Sequence, residues 1–252
     1  SILIFCLPFL RSLFRLLFKK NKMKKIKLFA DGPTLDEIKK FKDIDGYTFN
    51  PSLFKKLNVK NYIEFTNKIL ELINDKSISI EVLGDDEITC YDQAKKLSAL
   101  SKCISVKIPI TYTNGKLTNK LINKLVKENI KLNITAIFTL QQIKEIIDIV
   151  KNTDTILSVF AGRLFDIGID ANDKVKEISK FTHDHSNCKI LWASCRQAYD
   201  YINAIKSNAD IITMGTSTIK KLKLLNSKTP EAYSIETVKN FYEDAKNSGF
   251  KI

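Results

Sequence analysis

One lysine stands where a lysine is costly. The stretch CISVKIPIT, Cys103–Thr111, has the apolar and β-branched content of a buried strand, yet Lys107 sits in its middle. Desolvating an unpaired ammonium costs on the order of several kcal/mol, or lowers its proton affinity instead. A lysine so placed has two uses. Its neutral amine can attack a ketone and form a Schiff base, whose iminium draws electrons from a neighbouring carbon–carbon bond. Alternatively, the ammonium is locked in a buried ion pair. The first use needs no metal. It needs a carboxylate to move a hydroxyl proton, a second acid/base for the carbinolamine, and donors that orient hydroxyls.

The elements that must position such groups are legible from residue 24 onward. Short apolar runs at 26–31, 46–51, 78–84, 103–110, 132–139, 155–162, 189–194 and 209–215 alternate with segments of helical period, such as NYIEFTNKILELIND and NKLINKLVKENI. Eight strands in this order predict an α/β chain closed as a (β/α)8 TIM barrel, with TPEAYSIETVKNFYEDAKNSGF adding an extra C-terminal helix. Neither a GxGxxG nor a P-loop follows any run. Barrels of this kind carry chemistry at the C-terminal ends of their strands. Those ends hold Asp31, then Thr48 and Asn50, then Glu81, Lys107, Asn133 with Thr135, Ser158 with Arg163, and Ser194 with Arg196. Alternation turns Ser105 and Lys107 to the lumen and Val106 and Ile108 to the helices. Lys27 and Lys189 fall at strand starts, where a charge reaches water.

Bulk properties narrow the classes. With 252 residues, 44% hydrophobic and 27% charged, the chain can bury a sizeable core. Its net charge of +13 invites a nucleic-acid reading, but the lysines beyond residue 22 are dispersed among acids, so no nucleic-acid partner is expected. Five scattered cysteines without a CxxC pair point to reduced thiols in a cytoplasmic setting, with neither a zinc site nor a disulfide framework. His183 and His185 lack evident partner ligands and are expected at a solvated helix end. Residues 1–22 are hydrophobic and basic and carry no acid. They read first as an extension outside the fold, then as a membrane-surface or organelle-targeting segment. Residues 23–252 form the domain.

The motifs FADGPTLDEI, TFNPSLFKK, EVLGDD, VKIPIT, NITAIFT, SVFAGRLFDIG and WASCRQ resemble, in order, those of the transaldolase family, including its short, fructose-6-phosphate-aldolase-like branch. The resemblance covers residues 24–252. It implies a class I aldolase barrel with Lys107 as the Schiff-base lysine and Asp31 as the carboxylate that deprotonates the substrate hydroxyl. Glu81 and Thr135 then handle a catalytic water, while Asn50, Asn133 and Ser158 contact the dihydroxyacetone part. Arg163, Ser194 and Arg196 become the phosphate set, a role that suits a guanidinium fork. The resemblance also implies no cofactor, and a homo-oligomer, pentamer or decamer, with residues 230–250 packing on a neighbouring subunit.

Glu81 and Phe160 are the transaldolase combination, whereas the aldolase branch tends to carry Gln and Tyr there. The resemblance therefore implies transfer of dihydroxyacetone between sugar phosphates in the pentose phosphate pathway. Fructose-6-phosphate cleavage to free dihydroxyacetone is the alternative, and a silent binding barrel is a further one. Gly32, Phe49 and Val159 depart from the family's usual Thr or Ser, Thr and Pro, and Gly32 and Phe49 are expected to alter the pocket mouth.

Overall fold

A computed structural model describes residues 26–252. The extension read at 1–22 lies outside them. In chain order the elements are β1 (Lys27–Asp31), α1 (Leu35–Lys40), β2 (Gly46–Thr48), α2 (Pro51–Lys56), α3 (Tyr62–Leu70), β3 (Ser77–Glu81), α4 (Glu87–Leu100), β4 (Ile104–Pro109), α5 (Asn119–Lys127), β5 (Leu132–Ile137), α6 (Leu140–Lys144), α7 (Ile147–Val150), β6 (Ile156–Val159), α8 (Ala161–Asp166), α9 (Ala171–His185), β7 (Lys189–Trp192), α10 (Asp200–Lys206), β8 (Ile211–Gly215), α11 (Thr216–Lys221) and α12 (Pro230–Ser248). All eight strands pair in parallel and in order, and β8 closes on β1. This is the TIM barrel expected from the alternation.

Several runs overshoot their strands, because a helix cap claims the end. The 46–51 run stops at Thr48, since Asn50 turns its side chain onto the backbone N–H of Leu53 and Pro51 opens α2. Likewise 155–162 stops at Val159, where Phe160 begins the turn into α8. One strand holds a fault that local pattern does not reveal. The β5–β6 register runs Ile134↔Leu157 and then Ile137↔Val159, so two residues of β5, Thr135 and Ala136, oppose one of β6. Ala136 takes φ 59°, in the left-handed region that costs an alanine about 1–2 kcal/mol.

The core is two-sided, as parallel barrels require. Outward-facing Val106, Ile108, Ile134 and Ile190 are fully buried against helices. Inside, Phe29, Ile156, Leu191, Ala193 and Ile211 cluster, with Phe160 packed on them. Lys27 and Lys189 are exposed at their strand starts. The histidine expectation needs correction for His183. It does lie at the end of α9, but its Nε2 sits 2.7 Å from Asp210 Oδ2, while His185 bonds the Phe181 carbonyl.

Barrel and C-terminal segment form separate compact units, dividing at Ile219 and Lys220. In the second, Thr229 caps α12, which ends at Gly249 with φ 70° and buries none of its side chains. Tyr233, Ile235, Val238, Phe241 and Tyr242 are all exposed on it. Among the described residues no helix is long and apolar enough to cross a membrane.

Candidate active site

Register places the central groups side by side. Glu81 on β3 pairs with Lys107 on β4, and Lys107 with Asn133 on β5. The two-residue repeat then aims all three at the lumen. Lys107 is 5% exposed; its Nζ lies 2.9 Å from Glu81 Oε2 and donates to the Phe49 carbonyl at 3.2 Å. The buried ion pair anticipated for this lysine is thus present, with Glu81. It does not exclude nucleophilic use, because the carboxylate that holds the ammonium is also placed to take its proton. Tyr62 secures the end of β3 by donating to the Glu81 carbonyl at 2.6 Å, and burial, then the Glu81 charge, push its phenol well up. Tyr62→Phe is expected to lower unfolding free energy by about 1 kcal/mol in chemical denaturation, without changing the denaturant slope.

Across the lumen, Asp31 ends β1. Thr48 donates to its Oδ1 at 2.6 Å, and Thr48 Oγ1 lies 2.5 Å from Thr213 Oγ1. Since Thr48 has one proton, donating it to Asp31 requires Thr213 to donate to Thr48. Burial raises the Asp31 pKa; the Thr48 bond and the Lys107 charge lower it, and the Glu81 charge raises it further. Desolvation wins, so Asp31 is a stronger base than an exposed aspartate.

A second polar chain runs Ser158 Oγ to Asn133 Oδ1 at 2.6 Å and Asn133 Nδ2 to Ser79 Oγ at 3.0 Å, all buried. It fixes the orientation of Asn133. Thr135, on the bulge, is 2% exposed and its Oγ1 has no hydrogen-bond partner. A buried hydroxyl without a partner suits a water or substrate hydroxyl. Asn50 accepts from Leu53 N at 2.9 Å through its side-chain oxygen, so contact with a ligand falls to its Nδ2.

The expected anion set straddles the start of α8 and the loop after β7. Arg163 on α8 is exposed, with its guanidinium carbon 5.2 Å from the Phe160 ring centre. Ser194 and Arg196 follow β7, and Ser194 takes φ 63°. Helix and loop meet at Gly162, where an added Cβ would stand 1.6 Å from the Ser194 carbonyl oxygen. Gly162→Ala must therefore push α8 and the loop after β7 apart. It is expected to raise KM for phosphorylated substrates at least tenfold, with kcat on an unphosphorylated ketone little changed. Arg196 is not open on every side: its Nη2 pairs with Asp166 and its Nε donates to Asp166 Oδ1 at 3.3 Å.

Phe49 does not alter a pocket mouth as expected. Its ring is fully buried and stacks on Phe54 at 5.3 Å, so only its carbonyl meets Lys107. Gly32 has φ 60°, and this left-handed backbone is what favours glycine there; a Cβ would meet only the Leu53 side chain, its nearest methyl at 2.6 Å, and that end can shift. Local pattern missed Thr213, Ser79 and Asp166. Alternation along β8 places Thr213 on the same face as lumen-lining Ile211, and that signal could have found it.

A barrel with an inward lysine, flanking carboxylates and an arginine-bearing rim is an arrangement suited to aldolase or transferase chemistry. Residues 28–252 match the transaldolase/fructose-6-phosphate aldolase family. The chain belongs to that family. A protein of Ruegeria sp. described as a probable transaldolase is 30% identical over 90% of this chain and 100% of its own length. Another, from Thermoplasma volcanium, is 33% identical over 88% and 96%. Thiamine phosphate pyrophosphorylase from Pyrococcus furiosus shares the fold, with a TM-score of 0.53 at 11% identity, covering 81% of this chain and 94% of that one.

Proposed function

We propose that the chain is a transaldolase that moves a dihydroxyacetone unit between sugar phosphates through a Schiff base on Lys107. The reaction is sedoheptulose 7-phosphate plus glyceraldehyde 3-phosphate giving erythrose 4-phosphate plus fructose 6-phosphate. The observation that carries this reading is the buried Lys107 facing the lumen between Glu81 and Asn133.

In this reading Glu81 takes the ammonium proton, and neutral Nζ adds to the ketone carbonyl of the donor. A water held by Glu81 and Thr135 shuttles protons as the carbinolamine loses hydroxide as water and becomes the iminium. Asp31 removes the proton of the hydroxyl on the far carbon of the bond to be cleaved, and that oxygen becomes the leaving aldehyde's carbonyl; the bond breaks, and its electrons enter the iminium to give an enamine. The aldehyde leaves. The enamine then attacks the acceptor aldehyde, Asp31 returns its proton to the new alkoxide, and hydrolysis frees Lys107. Asn50, Asn133 and Ser158 hold the dihydroxyacetone hydroxyls, while Arg163, Ser194 and Arg196 hold the terminal phosphate. Phe160 offers no hydroxyl to protonate the enamine, which favours transfer over release of dihydroxyacetone.

The exposed apolar side chains of α12 support a homo-oligomer in which this helix is covered by another copy. Acceptor dependence tests the activity. Fructose 6-phosphate alone is expected to yield at most one equivalent of glyceraldehyde 3-phosphate per site, and erythrose 4-phosphate to restore steady turnover. Steady product without acceptor marks a fructose-6-phosphate aldolase, and no product in either case contradicts the reading.

A further inference from the structure

Asp200 is a buried carboxylate that the proposed chemistry leaves without a task. It opens α10 and is 1% exposed. Its Oδ2 accepts from the backbone N–H of Arg196 at 2.8 Å and of Gln197 at 3.2 Å, and its Oδ1 accepts from Asn203 Nδ2 at 3.4 Å. A buried carboxylate unsupported by such bonds would be strongly destabilising, and bonds of this kind are stronger than neutral ones. The backbone on which they act is not otherwise regular. Ser194 stands in the left-handed region, and Cys195 and Arg196 belong to no helix or strand.

From this geometry we infer that Asp200 is a positioning residue of the anion subsite: it folds the 194–197 loop back on itself and thereby fixes where Ser194 and Arg196 stand. The assignment rests on reading Arg163, Ser194 and Arg196 as that subsite. Two consequences follow. The amides of Arg196 and Gln197 are already taken by a carboxylate, so a phosphate is held through side chains rather than by a cradle of these N–H groups. Arg196 is also constrained twice, through its backbone by Asp200 and through its guanidinium by Asp166. The arginine therefore reaches the ligand with little freedom left to lose. Cys195, between them, is kept a neutral thiol by burial first and by the nearby charges of Asp200 and Asp31.

Binding of inorganic phosphate, followed by ³¹P NMR, tests the assignment alongside KM for fructose 6-phosphate and the rate of ketone adduct formation with unphosphorylated dihydroxyacetone. Asp200→Ala is expected to weaken phosphate binding and raise KM about tenfold or more while leaving the dihydroxyacetone reaction unchanged. Asp200→Asn keeps an acceptor for the two amides and is expected to stay within about threefold of wild type on all three readouts. If Asp200→Ala binds phosphate like wild type, or loses both reactions equally, the assignment is wrong. Markedly tighter phosphate binding by Asp200→Asn would also overturn it, because charge repulsion and not loop geometry would then be the role. Should wild type bind no phosphate, the anion-site reading falls, and this assignment with it.

Discussion

Lys107→Met is expected to lower turnover by about four orders of magnitude or more, because it deletes the only proposed nucleophile while keeping side-chain length. The lost group is the amine itself, so excess substrate does not rescue the variant. One complication is structural. Glu81 has 16% side-chain exposure, and Lys107 is its ion-pair partner, so the single variant strands a mostly buried charge. Stranding one member of a buried pair costs about 3–5 kcal/mol. Lys107→Met combined with Glu81→Gln removes that cost and is expected to be the more stable protein. Both are expected to be inactive. Turnover in the folded double variant would exclude Lys107 as nucleophile, whereas inactivity together with unfolding of the single variant alone would be a stability effect.

Asp31→Asn is expected to lower kcat by about 10²–10⁴-fold, the usual worth of a general acid–base group. Its folded-state pKa is raised, chiefly by burial. The acid limb of the pH–rate profile therefore lies above the ordinary aspartate range, since the base is lost to protonation at higher pH. The Thr48 bond lowers this pKa, so Thr48→Val is expected to move the limb higher still. The stability effect has the opposite sense to a salt-bridged aspartate. A carboxyl whose folded pKa exceeds its unfolded one stabilises the fold fully below the unfolded value, and loses that contribution as pH rises through the folded value. Ionised Asp31 is thus a net burden at neutral pH. Asp31→Asn is expected to melt above wild type at pH 7, with the gap closing in acid. A variant both less active and less stable at neutral pH would contradict this account of Asp31.

Much of the barrel was legible because its signals are local. Each strand is a short apolar run, and the two-residue repeat around Lys107 already assigns its side chain to the lumen. Asp31, Glu81 and Asn133 follow from the rule that strand ends carry chemistry. What the sequence hides is set by neighbours across the sheet. The Thr48–Thr213 contact joins residues 165 positions apart. The bulge at Thr135 and Ala136 exists only relative to β6, and Phe49 turns its ring to Phe54 because Asn50 caps α2 and ends the strand. Asp200 looks like a helix-start aspartate, whose usual contacts run forward into its own helix; one oxygen does reach Asn203, but the other reaches back to the amides of Arg196 and Gln197. Arg196 had the residue type for an anion ligand, yet nothing in its spacing announces that Asp166 already occupies part of its fork.

Reductive trapping tests the central claim most directly. The protein is incubated with fructose 6-phosphate and borohydride, digested, and mapped by mass spectrometry. One reduced three-carbon adduct per chain, located on Lys107 and accompanied by loss of activity, is the expected result. An active protein that gives no adduct, or one whose adduct maps to another lysine, would contradict the assignment of Lys107 as the Schiff-base residue.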